Sequence, residues 1–160
     1  MRIQIKLSVL FLAVIILSSC QSSSQTNSNN NNSSGDWPSY NFEELVSTSD
    51  LIVYGEITDT KNKNSTPPSQ ESNLKVLKSL KGDESDHSLL INLSDPDYYV
   101  KSGSKYVMFL DNIGSYYTQK SANSLLIELD GKFPSSIKGL NGNYSLEEIA
   151  LEISKITSDQ

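Results

Sequence analysis

At 160 residues, with a formal charge of −6, one cysteine and one histidine, the chain has room for one domain and a tether. Its only arginine, Arg2, lies in the leader, so an acidic domain without a guanidinium fork is not expected to bind nucleic acid. One histidine and one cysteine cannot build a closed zinc or iron site and cannot pair internally; no metal or other cofactor is expected, and the fold must rest on its core.

In chain order, Arg2 and Lys6 introduce an apolar run from Leu7 to Leu17, which ends in Ser18-Ser19-Cys20. A basic start, an apolar stretch and small residues before a cut make a secretory signal. Small residues closed by cysteine resemble a bacterial lipobox. The resemblance implies that residues 1–19 are a lipoprotein signal peptide and that the Cys20 thiol carries palmitate-type acyl chains. Two plainer readings compete. A transmembrane helix needs roughly 20 apolar residues, about twice this run. An ordinary cleaved signal would leave a lone thiol at the new terminus with no disulfide partner. Loss of Arg2 and Lys6 takes the mature chain of 141 residues to a formal charge of −8. Its expected place is the extracytoplasmic face of the cell membrane, where more than one acyl chain gives stable anchoring.

Gln21 to Asp36 contains no large apolar residue. Such a stretch cannot offset the entropy of ordering. With Cys20 it makes a disordered tether over 20–36, with a root-mean-square span of roughly 20–25 Å.

The single globular domain, 37–160, starts at Trp37-Pro38. Asn41 caps a short helix over 42–46, with Glu44 as its capping-box partner. Asp50 to Thr58 is rich in β-branched and aromatic residues and reads as the first strand. Lys61 to Gln70, containing Pro67-Pro68, reads as a polar loop. A second strand is expected over 72–80, ended by Lys81-Gly82-Asp83, and a third over 88–93, broken at Asp95-Pro96-Asp97. After the turn Ser102-Gly103-Ser104 comes Lys105 to Leu110, the most apolar strand and a central one. Asn112 to Ser115 turns the chain into 116–119, and a further hairpin is expected around Asp130-Gly131. Ser145, with Glu148 as box partner and Tyr144 as a staple, starts an amphipathic helix. Leu146, Ile149, Ala150, Ile153 and Ile156 share one of its faces.

Short strands with helices only at the ends make the fold mainly β: a small OB-like barrel with a short N-terminal helix and a C-terminal amphipathic helix. The strings Asp50-Leu51-Ile52-Val53-Tyr54-Gly55-Glu56-Ile57, Val76-Leu77-Lys78-Ser79-Leu80-Lys81-Gly82 and Gly103-Ser104-Lys105-Tyr106-Val107-Met108-Phe109-Leu110 occur in that order. They resemble the strand pattern of netrin-like and tissue-inhibitor-of-metalloproteinase-like domains, whose barrels are of the OB type. The resemblance spans roughly 42–133 and rests on strand and turn residues, without the disulfides of the eukaryotic members. Those inhibitors chelate a protease zinc through a free N-terminal cysteine. An acylated Cys20 behind a tether does not carry that activity over.

Chemistry-bearing groups are few. Asp83-Glu84-Ser85-Asp86-His87 sets three carboxylates beside the only histidine, as a solvated turn or a metal or general-base site. Ser94-Asp95-Pro96-Asp97 is a turn or a weak calcium loop, short of the ligand count of an EF-hand. Asn92-Leu93-Ser94 and Asn143-Tyr144-Ser145 match the glycosylation pattern, which a bacterial lipoprotein would not use. No phosphate loop, serine elbow or catalytic carboxylate pair is present. The unusual feature is paired tyrosine: Tyr98-Tyr99 and Tyr116-Tyr117. Strand alternation sends one ring of each pair inward and one outward, and an outward ring suits stacking on glycans, peptides or single-stranded polymers.

The expected function is therefore a non-catalytic binding or interaction module at the cell envelope. Its partners are membrane lipid through Cys20 and an envelope polymer or protein met by Tyr98, Tyr99, Tyr116 and Tyr117. An envelope hydrolase or other enzyme, or a protease inhibitor, is the alternative.

Overall fold

The computed structural model describes residues 37–83 and 87–158. The expectations for the leader, Cys20, the tether over 21–36 and the cluster residues Glu84, Ser85 and Asp86 lie outside the described residues.

Helix α1 (Phe42–Thr48) starts where the capping box requires. The Asn41 side chain accepts from the Glu44 N–H at 2.9 Å, and the Glu44 carboxylate accepts from the Asn41 N–H at 2.8 Å. Two of the helix's unpaired donors are thereby satisfied. Phe42, Leu45 and Val46, at helical spacing, are its buried face.

Six strands follow: β1 (Leu51–Lys63), β2 (Ser69–Lys81), β3 (Ser88–Leu93), β4 (Lys105–Asn112), β5 (Tyr117–Gln119) and β6 (Leu125–Ile127). They close in the order β1-β2-β3-β5-β4, with β4 returning to β1. All pairings are antiparallel except β3 with β5, which meet in parallel at Ile91 and Tyr117. This is an OB-like five-stranded barrel, and closure removes the open sheet edges that would otherwise invite pairing. A hairpin, β7 (Phe133–Ile137) and β8 (Leu140–Tyr144), and helix α2 (Leu146–Ser158) complete the domain. No helix among the described residues is long and apolar enough to cross a membrane.

The apolar run of β4 has a direct physical cause. Tyr106, Met108 and Leu110 point into the barrel, where they meet Leu51, Val53, Ile57, Leu74, Leu89, Ile91 and Leu93. Val107 and Phe109 point the other way, into a second core with Phe42, Leu45, Ile52, Leu126, Phe133, Ile149 and Ile153. A strand buried on both faces reads as continuous rather than alternating. Fully burying each Leu, Ile or Phe side chain contributes about 1.5–3 kcal/mol. β1 alternates between the same two cores. It bends between β2 and β4 with register shifts at Ile52/Val53, Tyr54/Gly55 and Ile57/Asp59.

Two elements differ from the sequence reading. β1 and β2 continue into the polar segments, pairing Thr60 with Ser72, Lys61 with Glu71, Asn62 with Gln70 and Lys63 with Ser69. The loop between them shrinks from the expected Lys61–Gln70 to Asn64–Pro68. An ion pair between Lys63 and Glu71 joins the polar ends. The buried Gln70 side chain accepts from the Val100 N–H at 2.9 Å and donates to the Val100 carbonyl at 3.2 Å. It thereby acts as a ladder partner that apolar periodicity does not report. The β7–β8 hairpin was not expected at all. Its buried residues Phe133, Ile137 and Leu140 fall at spacings of four and three, and its turn is carried by Gly139 at φ +93°. The Phe42 N–H donates to Lys138 O at 2.9 Å, tying this hairpin to α1.

Helix α2 matches its sequence pattern. Ser145 N–H donates to Glu148 at 2.6 Å, the Glu148 N–H returns to Ser145 Oγ at 3.3 Å, and Ile149 and Ile153 are buried. The Ser145 hydrogen bonds, and then the Lys132 ammonium, hold the Glu148 carboxyl below its ordinary value.

Candidate functional site

A cleft of about 400 Å³ opens where the β1–β2 loop, the end of β3 and the β4–β5 turn meet. That volume falls within the range of about 300–1,000 Å³ common to small-molecule sites. Ser65 to Ser69 form one wall, Asn92 and Ser94 the floor, and Ile113, Tyr116 and Thr118 the other wall. Among the described residues no charged side chain lines it, although the chain as a whole is acidic.

Local hydrogen bonds set both walls. Ser65 Oγ donates to Pro67 O at 2.7 Å within the proline-containing loop. In the opposite wall the Gly114 N–H donates to Asn112 Oδ1 at 2.7 Å, and the Ile113 N–H to Tyr116 O at 3.0 Å. Gly114 has φ +94°, a left-handed turn position that glycine fills without strain. Asn112 is itself held, its N–H donating to Asp50 Oδ2 at 2.9 Å. Ile113 consequently stands 52% exposed at the cleft's lip. Thr118 Oγ1 donates to Asn92 O at 2.9 Å, joining that wall to the floor, while Asn92 Oδ1 is buried without a hydrogen-bond partner. Leu90, two residues back on the same outward face of β3, is exposed as well.

The four tyrosines take different places, all half-buried. Tyr116 lines the cleft. Tyr117 packs against the barrel interior, and its hydroxyl accepts from Asn112 Nδ2 at 3.4 Å. Tyr99 also packs on the interior; its hydroxyl is buried, and that burial, with the Asp95 charge second, raises its pKa. Tyr98 follows Asp95 in a single 3-10 turn (Pro96–Tyr98), its ring edge-on to Trp37 at 6.2 Å.

Asp95 is engaged in structure. Its Oδ1 accepts from the Asp97 N–H at 3.0 Å and its Oδ2 from Trp37 Nε1 at 2.9 Å. Among the described residues no three His, Cys, Asp or Glu side chains gather closely enough to hold a metal ion.

No family model and no curated protein matches this chain.

Pro67, Asn92, Ile113 and Thr118 were not singled out as site residues from the sequence. The available signal was the topology: an OB-like barrel sets the loop joining its first two strands beside the turn joining its fourth and fifth. Tyr116, the one aromatic in that turn, carried the rest.

Proposed function

We propose that this chain is a lipid-anchored lipoprotein of the extracytoplasmic membrane face, acting as a non-catalytic binding module. Its OB-like domain holds an envelope component in the cleft beside Tyr116. The observation that carries this reading is the position of the cleft. Barrels of this type bind oligonucleotides and oligosaccharides with the face of strands two and three and with these same two loops. Here the cleft is built from those loops, and exposed Leu90 and Ile113 adjoin or line it. The string Leu17-Ser18-Ser19-Cys20 supports the anchor, and the strand order supports kinship with netrin-like barrels.

Two arms test the proposal in cells. Cys20→Ala should abolish fatty-acid labelling and release the protein from the membrane fraction; an unlabelled variant that stays in membranes overturns the lipid anchor. Tyr116→Ala, with an unchanged melting temperature, should weaken retention of the detergent-solubilised chain on purified envelope. Unchanged retention overturns the cleft as the binding site.

A further inference from the structure

We infer that the cleft takes an uncharged, hydroxyl-rich chain, a neutral oligosaccharide, with one sugar ring stacked on Tyr116. This rests on the binding-module reading above and names its ligand class. The lining combines the Tyr116 ring, hydroxyls from both walls and a carboxamide on the floor, with no charged side chain among the described residues. Sugars present this same mixture: an apolar ring face, and hydroxyls that both donate and accept. Ser and Thr hydroxyls also do both. Thr118 Oγ1 spends its proton on Asn92 O and keeps its lone pairs for a sugar hydroxyl.

Charge excludes the other polymers. A polyanion would meet an acidic domain and a cleft with no cation in its lining. A polycation would find no carboxylate there to pair with. An extended peptide commonly binds by adding a strand to a free sheet edge, but beside the cleft β3 joins β5 at Ile91 and Tyr117 and the Thr118 hydroxyl occupies Asn92 O.

Saturation-transfer NMR on the full chain tests the inference, using a detergent without a sugar headgroup. The probes are neutral tetrasaccharides of β-1,4-linked glucose and of β-1,4-linked N-acetylglucosamine, a sulfated tetrasaccharide, and a proline-rich decapeptide. Transfer to ring protons of a neutral sugar is expected, at least tenfold weaker in Tyr116→Ala and unchanged in Tyr98→Ala. Ile113→Asp alters an exposed lip residue and so avoids the risk of unfolding; it should weaken neutral-sugar binding by a similar factor. The sulfated probe should show no transfer. No transfer to either neutral sugar, or transfer that survives both cleft variants, overturns the inference. Transfer to the peptide alone, lost in Tyr116→Ala, overturns the saccharide assignment and leaves the cleft standing as a binding site.

Discussion

The ammonium of Lys81, at the end of β2, donates to the carbonyl of Val46 in α1 at 2.7 Å. The same nitrogen reaches Ser47 O at 3.0 Å and Ser49 O at 2.8 Å. Helix α1 has no basic residue in its own last turn, so a strand supplies the cation that its carbonyl end favours. Lys81→Met keeps the aliphatic stem and removes these bonds. A loss of about 1–3 kcal/mol is expected, read from denaturant midpoints at constant slope. A change below a few tenths would mean that water replaces the ammonium without cost.

The Tyr54 hydroxyl donates to Glu128 Oε2 at 2.7 Å and its ring meets Phe133 edge-on at 5.9 Å. Burial first, then the Glu128 hydrogen bond and charge, and then Glu56, push its pKa from 10.0 up to about 12. The folded pKa lies above the unfolded one, so the protonated phenol stabilises the fold fully below about pH 10. That contribution fades as pH rises from there through about 12. At neutral pH Tyr54→Phe should lose about 1 kcal/mol. The gap to the parent protein should narrow in alkali; a gap that widens above pH 10 would contradict the assignment.

Gly55 is required by contact rather than by backbone angle. A Cβ there would sit 2.6 Å from Lys75 O and 2.7 Å from Leu74 Cδ1. One of those contacts is backbone on the paired strand, which cannot move aside cheaply. Gly55→Ala should therefore cost about 1–3 kcal/mol as overpacking. Equal thermal stability of the two proteins would show that the β1 bend absorbs a methyl group.

Asp95 joins the start of the domain to the turn after β3 through Trp37. Trp37 is the chain's only tryptophan, so its fluorescence reports this corner, where it meets both Asp95 and the Tyr98 ring. Asp95→Ala should shift the emission to longer wavelength and raise quencher accessibility, with a stability loss of about 1–2 kcal/mol. An added chelator should leave the emission of the parent protein unchanged. A chelator effect reversed by calcium would give Asp95 a ligand role instead.

Much of the fold was legible because its local signals agree with its tertiary ones. Asn41 with Glu44 and Ser145 with Glu148 announce both helices, and the continuous apolar run of β4 matches a strand buried on both faces. The polar extension of β1 and β2 was not legible. Its stability comes from cross-strand pairs and from Gln70 acting on Val100, none of which leaves an apolar period. The β7–β8 hairpin was hidden for a related reason: it covers α1 with Phe133, Ile137 and Leu140, spaced more like a helix than a strand. For the site, tyrosine pairing pointed to Tyr116, but which ring lines a cleft depends on the neighbouring loop, 64–68, brought near by barrel closure.

Because β4 hydrogen-bonds with β1, β5 and β6 and buries both faces, it also governs how the chain can reach this state. The β1–β2–β3 meander precedes it and joins sequence neighbours, so it can assemble with short loops alone. Lys105 pairs with Glu56 and Leu110 with Leu51, so β4 closes on β1 across about fifty to sixty residues of chain, a far longer closure than any within the meander and so a later one. Until then Tyr106-Val107-Met108-Phe109-Leu110 presents five consecutive large apolar side chains with an unfilled backbone on both edges. It is the segment most prone to pair with another copy of itself.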